Sequence, residues 1–187
     1  MIGKGQEYIE AHQGWQCDRV NTIKGEIGSD NGILVTVDGE SFLDEPVRLG
    51  WLACGALDIA AIHAYGVGDF DTLKILRVVS RAQAARKKLI FQERGACFFT
   101  TENNNCPTDD ALDTAARNNN IKTWASQIMA AGMPWMYWQV IPNVEPPCTY
   151  HHEIGVNVDS SSWDTLKEAS EQAVAAAAAF DYSGFLL

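Results

Sequence analysis

Basic residues are scarce in this sequence. Fourteen Lys and Arg stand against 24 Asp and Glu, a formal net charge of −10. The one basic cluster is short, Arg86-Lys87-Lys88. A phosphate backbone would meet net repulsion, which argues against a nucleic-acid partner. Long apolar runs are missing too. The greasiest stretch, residues 49–65, is interrupted by Asp58 and His63 and is too short and polar for a membrane span. The opening residues, 1–7, hold no apolar segment of the kind a secretory leader needs. No CxxC pair occurs among Cys17, Cys54, Cys97, Cys106 and Cys148, which excludes a zinc ribbon or a thioredoxin-type site. No internal repeat or linker interrupts the chain, so residues 1–187 are expected to form a single domain.

Apolar content is ample: 47% of residues are hydrophobic and 20% charged, enough for a real core. Four short β-rich runs are nearly continuous in hydrophobicity, the mark of strands covered on both faces. They are residues 33–38, 57–62, 88–93 and 134–140. Helical patterns separate them. Residues 72–85 place Leu73, Leu76, Val79 and Ala82 at three-residue steps. Residues 110–131 carry Ile121, Trp124, Ala125 and Ile128 at helical spacing. Residues 163–179 are Ala-rich, with Leu166, Ala169, Ala173 and Val174, and the run 175–179 reads as helix. Residues 8–24 form a weaker candidate and 45–54 a shorter one. Asp71 before one pattern, and Gly132 with Pro134 after another, are the expected stop and start signals. Such alternation predicts an α/β fold with four parallel strands.

Polar and aromatic groups stand at or just after the C-terminal ends of the strand candidates: His63 and Tyr65, Glu93, and Trp138. At the C-terminal strand ends of a (β/α)8 barrel, side chains face the active site. A carboxylate there can attack or stabilise an anomeric carbon, and aromatic rings can stack on sugars. Cys97 and Cys106 bracket the polar loop 98–105, and a disulfide between them would close it. The alternative is that all five cysteines are reduced packing residues. The sequence His151-His152-Glu153 lacks the i, i+4 spacing of a metalloprotease pair and reads as an exposed loop. Neither a metal nor a cofactor is expected.

These residues carry a family resemblance. Asp58-Ile-Ala-Ala-Ile-His-Ala-Tyr-Gly66 resembles the sixth strand of glycoside hydrolase family 5, with its His-x-Tyr ending. Leu89-Ile-Phe-Gln-Glu-Arg-Gly95 resembles the seventh, which carries the nucleophile. Trp135-Met-Tyr-Trp-Gln139 resembles the eighth, whose Trp lines a sugar subsite. Leu34-Val-Thr-Val-Asp-Gly-Glu40 resembles the fifth. The resemblance, strongest to secreted fungal members, implies a half (β/α)8 TIM barrel equivalent to strands five to eight. A whole barrel needs about 250 residues, which this chain does not reach, so completion by homodimerisation is expected. It further implies Glu93 at the nucleophile position, His63, Tyr65, Trp138 and Glu40 as substrate-binding residues, a β-linked glucan or mannan as ligand, and an extracellular location.

Two departures bear on activity. Arg94 replaces the family's aromatic after the nucleophile; a cation there would hold Glu93 ionised or cross-link it in a salt bridge. The family's acid/base, in an Asn-Glu-Pro motif on the fourth strand, has no counterpart. Val144-Glu145-Pro146 mimics it but follows the last strand. Glu40 is the in-chain candidate for a second carboxylate, on a strand two positions from that of Glu93. Weak or absent hydrolysis with retained glycan binding is therefore expected. The alternatives are a retaining endo-β-glycosidase completed by a second chain, and a non-catalytic interaction or immunomodulatory protein.

Overall fold

The computed structural model describes residues 2–28, 31–41, 43–65, 67–97, 111–142, 152–157 and 160–185. Helix α1 (Ile2–Ile27) leads into β1 (Thr36–Ser41), the short α2 (Leu49–Leu52) and β2 (Ile59–Ala64). Then come α3 (Thr72–Ala84), β3 (Lys88–Arg94), α4 (Thr114–Ala130) and β4 (Trp135–Tyr137). Two-residue strands β5 (Val140–Ile141) and β6 (Ile154–Gly155) precede α5 (Ser160–Ala175). The main sheet has the order β1-β2-β3-β4, and every neighbouring pair is parallel. Strands β5 and β6 form a separate parallel pair. Among the described residues no helix is long and apolar enough to cross a membrane.

The core lies between the sheet and its helices. Ala60, Ile62, Ala64, Leu89 and Phe91 join Ile75, Val78, Val79 and Ala82 of α3 and Ile121, Trp124 and Ile128 of α4 in one buried cluster. The three small positions include two alanines on β2, which let the helical layer approach closely. Phe70 stacks on Trp124 at 4.9 Å between ring centres and tilts against Phe91 at 6.2 Å. Each such side chain contributes about 1.5–3 kcal/mol on burial. A second cluster, Val20, Val35, Val37, Trp51, Cys54 and Leu57, fastens α1 and α2 to β1. A Cys17–Cys54 disulfide spans it.

Most of the α4 face is as the spacing predicts: Ile121, Trp124, Ala125 and Ile128 are all buried. Asp71 and Asp113 cap α3 and α4 by accepting from the backbone N–H groups of Lys74 and Ala116. Other expectations are corrected. On α3 the buried stripe is Ile75, Val78, Val79 and Ala82, while Leu73 is 68% exposed. The 3, 4, 7 spacing of a 3.6-residue period overrides a strict three-residue step. The predicted helix over 45–54 shrinks to four residues. Val174 is exposed, and α5 ends at Ala175 rather than running through 179. The reason is tertiary: the Ala179 N–H donates to the Gly132 carbonyl at 2.8 Å, outside any helical ladder, which holds the end of the alanine run off the helix axis. Gly132 has φ +69°, and a Cβ there would lie 2.7 Å from the Ala179 nitrogen. The fourth predicted strand divides into β4 and β5, which belong to different sheets. Val35 and Phe91 are core residues of the helical layer, whereas Ile59 and Ile90 are only partly buried.

The cysteine expectations are revised in part. Cys17 pairs with Cys54, a bridge that no local spacing announces, and Cys97 is also disulfide-bonded. The reading of five reduced thiols therefore fails. Cys106 lies outside the described residues, as do Val144-Glu145-Pro146, His151 and the Asn103–105 run.

Candidate functional site

Strict alternation along β3 would put Glu93 on the same side as Leu89 and Phe91, facing the helices. The register prevents this. Ile62 aligns with Phe91 and His63 with Glu93, so Gln92 is an extra residue in β3. The bulge carries Glu93 to the face that His63 occupies and sends Arg94 to the face of Ala64, inside the core.

Three predicted site residues meet as a result. The Tyr65 hydroxyl donates to Glu93 Oε2 in a short hydrogen bond. His63 Nδ1 lies 3.4 Å from the same oxygen. Tyr65 ionises far above the usual tyrosine range, first because it is partly buried, then because its proton is held by Glu93 and because the charges of Glu93 and Glu153 oppose a phenolate. The proton therefore stays on Tyr65, and Glu93 keeps its donor. Gly39 makes room for the arrangement: a Cβ at that position would lie 2.1 Å from Cδ2 of the His63 ring.

Trp138 follows β4, its backbone N–H donating to the Arg94 carbonyl at 2.9 Å. Its side chain is 45% exposed, as a platform for a ligand must be. The peptide joining it to Gln139 is cis. For Glu40 only the backbone register is described. The β1 position aligned with His63 is Ser41, and Glu40 aligns with Ile62. The Glu40 side chain itself lies outside the described parts.

Arg94 does not cross-link Glu93. Its side chain is fully buried, with its guanidinium 4.0 Å over the Trp135 ring and 5.4 Å over that of Tyr137. None of its three nitrogens has a hydrogen-bond partner among the described residues. Burial holds its pKa down to about 10, with Tyr137 opposing the shift. A buried cation without a carboxylate costs more than ring stacking returns. We expect Arg94→Met, similar in length and without charge, to raise unfolding stability by about 1–3 kcal/mol. Urea unfolding measures this; a variant less stable than the wild type would show that stacking outweighs desolvation.

The exposed-loop reading is also corrected for residues 152 and 153, the described part of that stretch. His152 is partly buried, its ring centre 4.3 Å from that of Tyr65 and its Nε2 3.5 Å from Cys97 Sγ. A single histidine, neither on a strand nor spaced as a ligand pair, gives no sequence signal of this. Among the described residues no group of three or more His, Cys, Asp or Glu is placed to hold a metal ion.

Comparison with known proteins fits this geometry at the level of fold. No family model matches the chain, and no curated protein does. Among solved structures it is similar to the endo-1,4-β-mannanase of Rhizomucor miehei, at 16% identity and a TM-score of 0.59, over 87% of this chain and 46% of that one. It is similar to an endo-β-1,4-mannanase of Thermotoga petrophila at 16% identity and a TM-score of 0.53, covering 86% and 39%. A hyperthermostable endo-1,4-β-D-mannanase of Thermotoga petrophila RKU-1, solved with maltose and glycerol, matches at 13% identity and a TM-score of 0.52, covering 85% and 51%. The chain thus spans about half the length of the mannanases it resembles. Its α/β fold of four parallel strands and helices resembles part of a TIM-barrel mannanase.

Proposed function

We propose that this chain recognises β-linked polysaccharide, glucan or mannan, at the C-terminal ends of its parallel strands. The observation that carries the reading is the Glu93 carboxylate, held by Tyr65 and His63 from the neighbouring strand. A carboxylate so placed can attack or stabilise an anomeric carbon, and the exposed Trp138 indole offers a flat apolar surface to a sugar ring. The resemblance to endo-1,4-β-mannanases favours β-1,4-mannan as the first glycan to test. Descent from the retaining enzymes of glycoside hydrolase family 5 makes Glu93 the nucleophile position. Because the family's acid/base motif has no counterpart in the sequence, binding is expected to exceed turnover. The Cys17–Cys54 bridge supports a secreted protein, since such bonds persist in oxidising compartments.

Calorimetry with mannohexaose tests the reading. Trp138→Ala is expected to weaken binding at least tenfold, about 1.4 kcal/mol. No binding of mannohexaose or cellohexaose by the wild type at millimolar concentration would reject it.

The reading includes completion of the barrel by a second copy. Strands β1 and β4 each have a single pairing partner in the four-stranded sheet, and bare edges recruit strands. Met136 on β4 is 50% exposed. Beside β4 an open, largely apolar groove of about 390 Å³ is lined by Met129, Met133, Trp135, Ala173 and Val174. One two-fold axis would set β1 of each copy against β4 of the other, giving eight strands. Light scattering at micromolar concentration should give twice the 20.5 kDa of one chain. A folded species at 20.5 kDa would end this part of the proposal.

A further inference from the structure

The segment carrying His152 is anchored from several sides. Ile154, fully buried, donates its backbone N–H to the Gln139 carbonyl at 2.9 Å, and Val156 donates to Ile141 at 3.0 Å. The Tyr137 hydroxyl donates to the His152 carbonyl at 2.8 Å, while accepting from the Ala96 N–H at 3.2 Å. Arg117 of α4, itself buried, donates to the Glu153 carbonyl. His152 also reaches Gly95 more closely than any other residue would allow. A Cβ on Gly95 would lie 2.7 Å from His152 Cβ and 2.9 Å from its Cγ. All these contacts fix the backbone and Cβ of His152, and thereby the imidazole, against Tyr65.

We infer that His152 is a positioning residue: its imidazole braces the Tyr65 ring so that the hydroxyl is aimed at Glu93. The phenol can swing about its Cα–Cβ bond. Its hydroxyl reaches Glu93 Oε2 only from a narrow range of ring orientations, since a hydrogen bond weakens steeply off its axis. The Tyr65 ring is only partly buried, so the sheet alone does not enclose it. His152 closes one side at a tilt of 39°, and its own Nε2 rests 3.5 Å from the sulfur of Cys97. The chain is thus His152 to Tyr65 to Glu93, with a residue just before β6 governing a donor just after β2 that serves a carboxylate on β3. This deepens the proposed glycan site and rests on Glu93 being its working group.

The test reads the phenol directly. Tyrosine labelled with ¹³C at Cζ reports each ionisation, with Tyr65→Phe and Tyr137→Phe assigning the two signals. In wild type, Tyr65 should remain neutral through pH 11. His152→Ala should raise its ionisation constant at least tenfold, because both shielding and the aim at Glu93 are lost. His152→Phe, which keeps a ring against Tyr65, should restore the wild-type titration. Tyr137 provides the internal control. It donates to the His152 backbone carbonyl, which every substitution retains, and a Tyr65 phenolate opposes a second charge on it, so its ionisation should not become easier. An unchanged Tyr65 in His152→Ala overturns the inference. So does a His152→Phe that behaves like alanine, or a Tyr137 that ionises more easily along with Tyr65, since the loop would then have come away as a whole. A wild type that binds no glycan would reject the proposed function while leaving these titrations interpretable.

Discussion

Removing the Cys17–Cys54 bridge by a double substitution to alanine should cost about 4 kcal/mol of unfolding stability, the loss of loop-closure constraint expected for the 37-residue separation. The cost falls on a vulnerable part of the molecule. Helix α1 meets the rest of the chain largely through the second, smaller cluster, with Val20 beneath it and Trp51, Val35 and Val37 across from it. Its aromatic residues Tyr8 and Trp15 face solvent. Among the described residues few apolar contacts therefore remain to hold α1 once the sulfur link is cut. Lys24 adds an ion pair to Asp58 at 2.6 Å, a modest contribution for a partly exposed pair. Urea unfolding of the variant beside wild type measures the difference. A midpoint shift worth under 1 kcal/mol would show that the helix is fastened by packing rather than by the bond.

The second large effect concerns turnover. On the proposed reading, protonation of the leaving group would contribute about 10²- to 10⁴-fold to glycoside cleavage, and these 187 residues hold no counterpart of the acid/base motif of glycoside hydrolase family 5, which the sequence resembles. The expected signature is dependence on the leaving group. Dinitrophenyl β-mannoside, whose phenolate departs without a proton, should react with Glu93, whereas mannohexaose should be cleaved about 10²- to 10⁴-fold more slowly than by a two-carboxylate enzyme. The reaction forms a bond between a Glu93 oxygen and the anomeric carbon while the bond to dinitrophenolate breaks. Mass spectrometry should find the mannosyl group on Glu93, and Glu93→Gln should abolish both labelling and dinitrophenolate release. Rapid cleavage of mannohexaose, lost in Glu93→Gln, would show that another carboxylate serves as the acid. Glu153 would then be examined first, because its charge already acts on Tyr65.

How much of this could be read from the sequence follows from the range of the interactions. The four strand candidates and the buried face of α4 rest on periodicity, which acts over a few residues and is visible in the chain. Their order gave the parallel α/β architecture, and the residues at the C-terminal ends of the second and third strands pointed to His63, Tyr65 and Glu93 as neighbours. The cap at Asp71 is equally local. Alternation failed at β3, because a one-residue bulge is set by pairing with β2 on one side and β4 on the other. That bulge decides that Glu93 meets Tyr65 and that Arg94 is sealed in the core, where the sequence suggested a salt bridge between the adjacent residues. The role of Glu40 depended on register in the same way, and there Ser41 takes the position opposite His63.

Contacts between distant segments left still less trace. Cys17 and Cys54 are brought within 5.7 Å between Cα atoms by α1 packing beside α2, and nothing in their spacing distinguishes them from the other cysteines. His152 lies 87 positions after Tyr65, and reaches it because β6 pairs with β5 and because Gly95 has no side chain to keep it away. The sequence by itself determined the elements, their alternation and the residues with the right chemistry, since these follow from local propensity and composition. The tertiary structure decided which face each side chain takes, which cysteines meet, and that a loop histidine braces the phenol, since these depend on register and on packing between segments far apart in the chain.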